Sequence, residues 1–199
     1  AAASSSPSSS VGSTDYFINR SEVSSSTFDR YWEPHTSSID FCETNYLLSP
    51  YVVEPHNSFS SLWGLSLFGL LGLLRGNPTN ELRFDVANVV LIAIGLGSAA
   101  LHATLHWAFQ GADELPMIYL VVCGLYCCIE IDSPRGRPNH TWLPTISIGM
   151  CCVNTAIYFA YRRYYVVFLG TFIGMLLALV TLHLRIASRM RRKRRRAVE

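Results

Sequence analysis

Apolar residues gather along this chain in five long blocks, at about residues 57–75, 86–107, 115–131, 142–161 and 164–184, with no Lys or Arg inside any of them. A hydrocarbon core about 30 Å thick needs roughly 20 helical residues to cross it, and each block is close to that length. The polar links between blocks are short: Arg75 to Asp85, Gln110 to Glu114, Asp132 to His140, and the pair Arg162 and Arg163. Short links make consecutive helices antiparallel neighbours. The pattern therefore predicts an all-α fold, a polytopic transmembrane helix bundle with five spans. Small residues such as Gly64, Gly69, Gly72, Gly95, Gly97, Ser98, Ala99 and Ala100 let such helices approach closely.

Composition agrees with this pattern. Of 199 residues, 50% are hydrophobic and only 15% charged, too apolar for a typical soluble domain of this size. The first 26 residues are rich in Ser and Ala, a composition that buries too little apolar surface to order itself. Residues 1–30 are thus expected to be a disordered tail, and the Ala at position 1 suggests a processed start or a fragment. Residues 31–56 form a polar segment before the first span, 57–185 the bundle, and 186–199 a basic tail.

The net charge of +2 conceals an asymmetry, since eight of the sixteen Lys and Arg residues follow Leu184. Beside a membrane span such a run sets topology, and no nucleic-acid partner is expected. With the C-terminus cytoplasmic, twelve basic residues fall on the cytoplasmic side against Arg20, Arg30, Arg162 and Arg163 on the other. That orientation puts residues 31–56 and the Gln110–Glu114 link on the lumenal or external face. Of six cysteines, only Cys42 lies in a polar region, so neither a disulfide framework nor a Cys-type zinc site is indicated.

Two clusters carry candidate chemistry. The stretch YWEPHTSSIDFCETNYLLSPYVVEPHN places Asp40, Glu43, Asn45 and Glu54 just before the first span, the oxygen donors a hard cation such as calcium takes. From spacing alone the plainer reading is an acidic helix cap and solvated loop. Further on, GSAALHATLHWAFQGADELPMIYL repeats Ser98, His102 and His106 every fourth residue, which puts them along one face of a helix, with Asp113 opening the next helix after a short turn. Ser, His and an acid at one end of a bundle could form a metal site or a nucleophile with its base, and a packed His pair is the plain alternative.

At these residues the chain resembles the alkaline ceramidases, membrane amidohydrolases of a superfamily that includes the adiponectin receptors. The family's D-W-C-E-x-N run corresponds to Asp40-Phe41-Cys42-Glu43-Thr44-Asn45, followed by Glu54-Pro55-His56-Asn57, by Gly97-Ser98-Ala99-Ala100-Leu101-His102, and by D-E-L-P-M-x-Y at Asp113 to Tyr119. The resemblance covers about residues 30 to 185. It implies that Asp40, Glu43, Asn45 and Glu54 bind calcium with a backbone oxygen of Phe41, which stands where the family has Trp. It implies His102 as a zinc ligand, Ser98 as a polar group beside the zinc and Asp113 as the acid near the zinc-bound water. No family ligand matches His106.

The activity so implied is hydrolysis of the ceramide amide bond to a sphingoid base and a fatty acid by zinc-activated water, in an endoplasmic reticulum or Golgi membrane. The family has seven spans and takes two further zinc histidines from a late H-x-x-x-H motif. This sequence holds five spans, and its one late histidine, His183, has no His four residues away. It is therefore expected to be a truncated version of the seven-span family fold, without two of the zinc histidines and incomplete as an enzyme as written. The other readings are a catalytically incomplete membrane scaffold or calcium-binding protein, and a lipid-sensing receptor of the same superfamily.

Overall fold

A computed structural model describes residues 30–77, 80–134 and 137–196. The tail expected at 1–30 lies outside the described residues, except for Arg30. Among the described residues every regular element is helical: α1 (Pro55–Leu74), α2 (Leu82–Thr104), α3 (Trp107–Ile129), α4 (Leu143–Ala160) and α5 (Tyr165–Arg196). All five are long and apolar enough to cross a membrane. Their outer faces carry exposed Phe68, Leu74, Ile148 and Val166, side chains that a lipid surround makes favourable. The protein is an integral membrane protein built as an all-α bundle.

Two helix boundaries depart from the sequence expectation, for one reason. Polar Gln110 to Glu114 read as a link, but these residues lie inside α3, with Gln110 and Glu114 both buried. Their polar groups are satisfied internally: Gln110 Nε2 donates to Glu114 Oε1 at 2.8 Å, and the Ser38 amide donates to Gln110 Oε1 at 2.8 Å. A buried hydrogen-bonded amide is compatible with a helix interior. The true break falls earlier, at Leu105, whose φ of 47° places it in the left-handed region. His106 therefore starts α3 as its N-cap, its Nδ1 accepting from the Ala108 amide at 3.3 Å, and does not share a helix with Ser98 and His102.

That break fixes the site, because the last carbonyls of a helix need donors from elsewhere. The segment before α1 supplies them. The Glu54 amide donates to His102 O at 2.9 Å, the Val53 amide to Ala103 O at 3.0 Å, and the Thr36 and Ser37 amides to Leu105 O at 3.1 and 2.9 Å. Buried Tyr46, Val53 and Leu105, with Phe41 against them, form a small apolar plug beneath this cap. At about 25 cal/mol per Å2 of apolar surface, the plug and the shared amides hold residues 36–54 against the end of α2.

Inside the bundle, α1 contains a π-helical turn at Leu62–Ser66. The α5 helix is 32 residues long, about 48 Å at 1.5 Å per residue. It thus exceeds a hydrocarbon core and carries the basic run as its closing turns, where the sequence had been divided at residue 185.

Candidate active site

Ser98 and His102 lie one turn apart on α2, both buried. Asp113 stands across from them on α3, hydrogen-bonded to the Ser98 side chain and near His102. Two sequence features create this approach. Pro116 inside α3 has no amide to give Ala112 O, so that carbonyl loses its intrahelical donor. Gly97 faces it: a Cβ there would overlap the Ala112 carbonyl and come within 2.8 Å of the Asp113 nitrogen. With no side chain at 97, the two backbones meet and Ser98 reaches Asp113.

His102 is held from the other side. Its Nδ1 pairs with Glu54 Oε2 at 2.5 Å, and the Phe41 ring lies 4.6 Å from the imidazole centroid. With a carboxylate on Nδ1, that nitrogen carries the proton and Nε2 becomes the lone-pair atom of the neutral ring. Glu54 is fully buried, yet its oxygens are well supplied: Oε1 accepts from the Phe41 amide at 3.2 Å, and Oε2 also from Asn57 Nδ2 at 3.3 Å. A buried charge with several donors avoids the desolvation cost of an unpaired one.

The acidic loop does two things. Glu43 caps α1, its oxygens accepting from the His56 amide at 2.7 Å and the Asn57 amide at 2.8 Å, which is the plain helix-cap reading of the sequence. Asp40 Oδ1 accepts from Asn45 Nδ2 at 3.3 Å. Asn45 Oδ1, by contrast, is buried without a hydrogen-bond partner. A buried acceptor with no donor is costly, and a hard cation beside the carboxylates of residues 40, 43 and 54 would satisfy it. The donor types suit calcium, but among the described residues the carboxylates of 40, 43 and 54 do not gather as a three-ligand cluster.

For zinc the fit is narrower. His102 has the orientation of a metal ligand, its second nitrogen fixed by a carboxylate. Among the described residues, however, no three His, Cys, Asp or Glu side chains gather at metal-binding distance. His102 is one ligand of a site that needs three.

Sequence reasoning missed several participants. Ser61 Oγ lies 3.0 Å from Ser98 Oγ, and its only signal was a hydroxyl within an apolar block. Tyr158 of α4 hydrogen-bonds Glu114. Beside them opens a cleft of about 430 Å3 lined by Thr36, Ser38, Trp107, Gln110, Tyr158 and Arg162, the Arg162 guanidinium standing 4.7 Å over the Trp107 ring.

Comparison with known proteins bears on the same residues. The ceramidase family model matches residues 33–199. Alkaline ceramidase 3 of Mus musculus is 35% identical over 127 residues, covering 63% of this chain and 47% of the relative. An alkaline ceramidase of Arabidopsis thaliana is 30% identical over 141 residues, 69% of this chain and 54% of its own length. Alkaline ceramidase YPC1 of Saccharomyces cerevisiae is 32% identical over 143 residues, 66% and 45% respectively. The chain spans about half the length of the curated relatives it matches.

Proposed function

The chain belongs to the ceramidase family, and from that premise we propose that it hydrolyses the amide bond of ceramides, releasing a sphingoid base and a fatty acid. The observation that carries this reading is the meeting of Ser98, His102 and Asp113 at one end of an apolar bundle. A ceramide has two long chains and a small polar head, so its chains suit the lipid-facing helices while its amide reaches the polar end.

Zinc, held in part by His102 Nε2, would supply a Lewis acid and a water of pKa near 7. Glu54 keeps the His102 ring in the tautomer that leaves Nε2 unprotonated. Asp113 takes the proton of the attacking water and returns it to the leaving amine. Ser98, whose hydroxyl bonds Asp113 in the resting site, turns that O–H to hydrogen-bond the amide oxygen as negative charge develops there. Calcium at Asp40, Glu43, Asn45, Glu54 and the Phe41 carbonyl would fix the cap that carries Glu54, and so the His102 ring.

By the balance of basic residues, the site faces the lumenal or external side and the C-terminus the cytoplasm; the family resemblance implies an endoplasmic reticulum or Golgi membrane. Purified protein given ceramide, zinc and calcium should release fatty acid and sphingoid base in equal amounts; release of neither would refute the reading. One observation favours a second reading, a calcium-binding membrane protein without turnover: the described residues place a single histidine beside Asp113. Metal analysis separates the two, since calcium without zinc supports the second.

A further inference from the structure

The end of the bundle opposite the site carries its own polar construction. Arg83, in the first turn of α2, donates from Nη1 to Glu130 O at 3.1 Å and pairs through Nη2 with Glu81. Its Nε is buried with no hydrogen-bond partner. Beside it lies a cleft of about 310 Å3 whose polar lining comes from Asn80, Glu81, Arg83, Tyr126, Ser133 and Arg137. Asp132, next to Ser133, meets Arg189 of α5 at 3.8 Å, which brings the basic turns of α5 alongside.

Both nearby carboxylates are already engaged, Glu81 by Arg83 and Asp132 by Arg189. The buried Glu130 carboxylate is turned to the Asn139 and His140 amides and the His140 ring. The cleft therefore presents guanidinium and hydroxyl donors with a surplus of positive charge, the chemistry that recognises a phosphate group. Leu82 and Phe84, on the same first turn, are exposed, Leu82 at 75%. A polar cationic cleft at headgroup level, flanked by uncovered apolar side chains, matches an amphiphile better than a free ion.

We infer that this cleft binds the phosphate of an anionic phospholipid in the surrounding leaflet, with Arg137 as its principal donor, Arg83 adding positive charge behind it and Arg189 at its rim. The site is independent of amide hydrolysis and of the residues that would perform it. It adds a local, saturable contact to the diffuse attraction that the Arg191–Arg196 run exerts on any anionic surface.

Trp142 provides the reporter. It is exposed at this end, its ring 5.6 Å from that of His140, and His140 Nδ1 is bonded to Glu130 at 2.8 Å. The full chain is placed in bilayer discs containing either brominated phosphatidylserine or brominated phosphatidylcholine at equal mole fraction. The serine lipid should quench the fluorescence component that Trp142→Phe removes by about two-fold more than the choline lipid, given roughly five-fold enrichment per basic contact. The excess should vanish in the double variant Arg137→Gln, Arg189→Gln, which leaves the terminal basic run intact, and should persist in Arg162→Gln at the far end. Excess inorganic phosphate should not reduce it.

Equal quenching by the two lipids overturns the proposal. So does an excess that survives the double variant, since the basic run alone would then account for it. Displacement by phosphate assigns the cleft to a soluble anion and overturns the lipid assignment.

Discussion

Gly97 lies against the carbonyl of Ala112, the one carbonyl of α3 that Pro116 leaves without its intrahelical donor. Two residues far apart in sequence thus cooperate: the proline frees a backbone oxygen, and the glycine makes room for it. Their contact sets the spacing at which Ser98 meets Asp113. Gly97→Ala should therefore destabilise by about 1–3 kcal/mol through overpacking and reduce hydrolysis by more than the loss of folded protein explains. Gly149→Ala, where a Cβ would meet nothing within 4 Å, should leave the melting temperature unchanged or slightly raised. Thermal denaturation in detergent, run beside a turnover assay, compares the two.

Asn45 gives a prediction whose sign depends on calcium. Its Oδ1 is a buried acceptor without a partner, so Asn45→Ala removes an unmet polar group at the cost of one 3.3 Å bond to Asp40. Without calcium, the variant should melt within about 1 kcal/mol of the parent. With calcium added, the parent should gain stability and the variant should not. A calcium shift retained in full by the variant would remove Asn45 from the ligand set.

Five helices reach the sequence reader because a membrane span is written as an unbroken apolar run, and the runs at 86–107 and 142–161 need nothing else. Leu105 is different. Its left-handed turn sits within the apolar run and depends on amides from Thr36, Ser37, Val53 and Glu54, which no local pattern reveals. Gln110 and Glu114 misled for the converse reason: they are polar, yet their partners are also buried. The candidate residues Ser98, His102 and Asp113 were legible as motifs; Glu54 was read as a calcium ligand, and its bond to His102, like the approach of Ser61 and Tyr158, follows only from packing.

Glu130 predicts an acid limb in the stability profile. Burial alone would raise its pKa, but donors from the Asn139 amide and the ring and amide of His140 outweigh that and hold the carboxyl below its usual value. Its contribution is then fully present above the ordinary carboxylate pKa and is lost as pH falls through the lower folded value. Melting temperature followed downward from neutral pH should decline through that window, and Glu130→Gln should flatten the decline. A variant with the parent's full acid limb would assign it to other carboxylates.

Sidedness follows from five spans. Cys42 is exposed in the cap, and an odd number of crossings puts it on the face opposite the basic end of α5. In sealed vesicles, a membrane-impermeant maleimide should label Cys42 from one side while antibody reaches a tag at the C-terminus only from the other. Labelling and antibody access from the same side would contradict the five-span arrangement.

The most direct test is the rate of fatty acid release from a defined ceramide by the parent protein and by Asp113→Asn, with both metals present. The substitution keeps the shape of the side chain and removes its ability to take a proton, so release should fall by 10^2–10^4, the order typical of a lost general base, while the melting temperature holds. Release by Asp113→Asn at the parent's rate would contradict the assignment of the site.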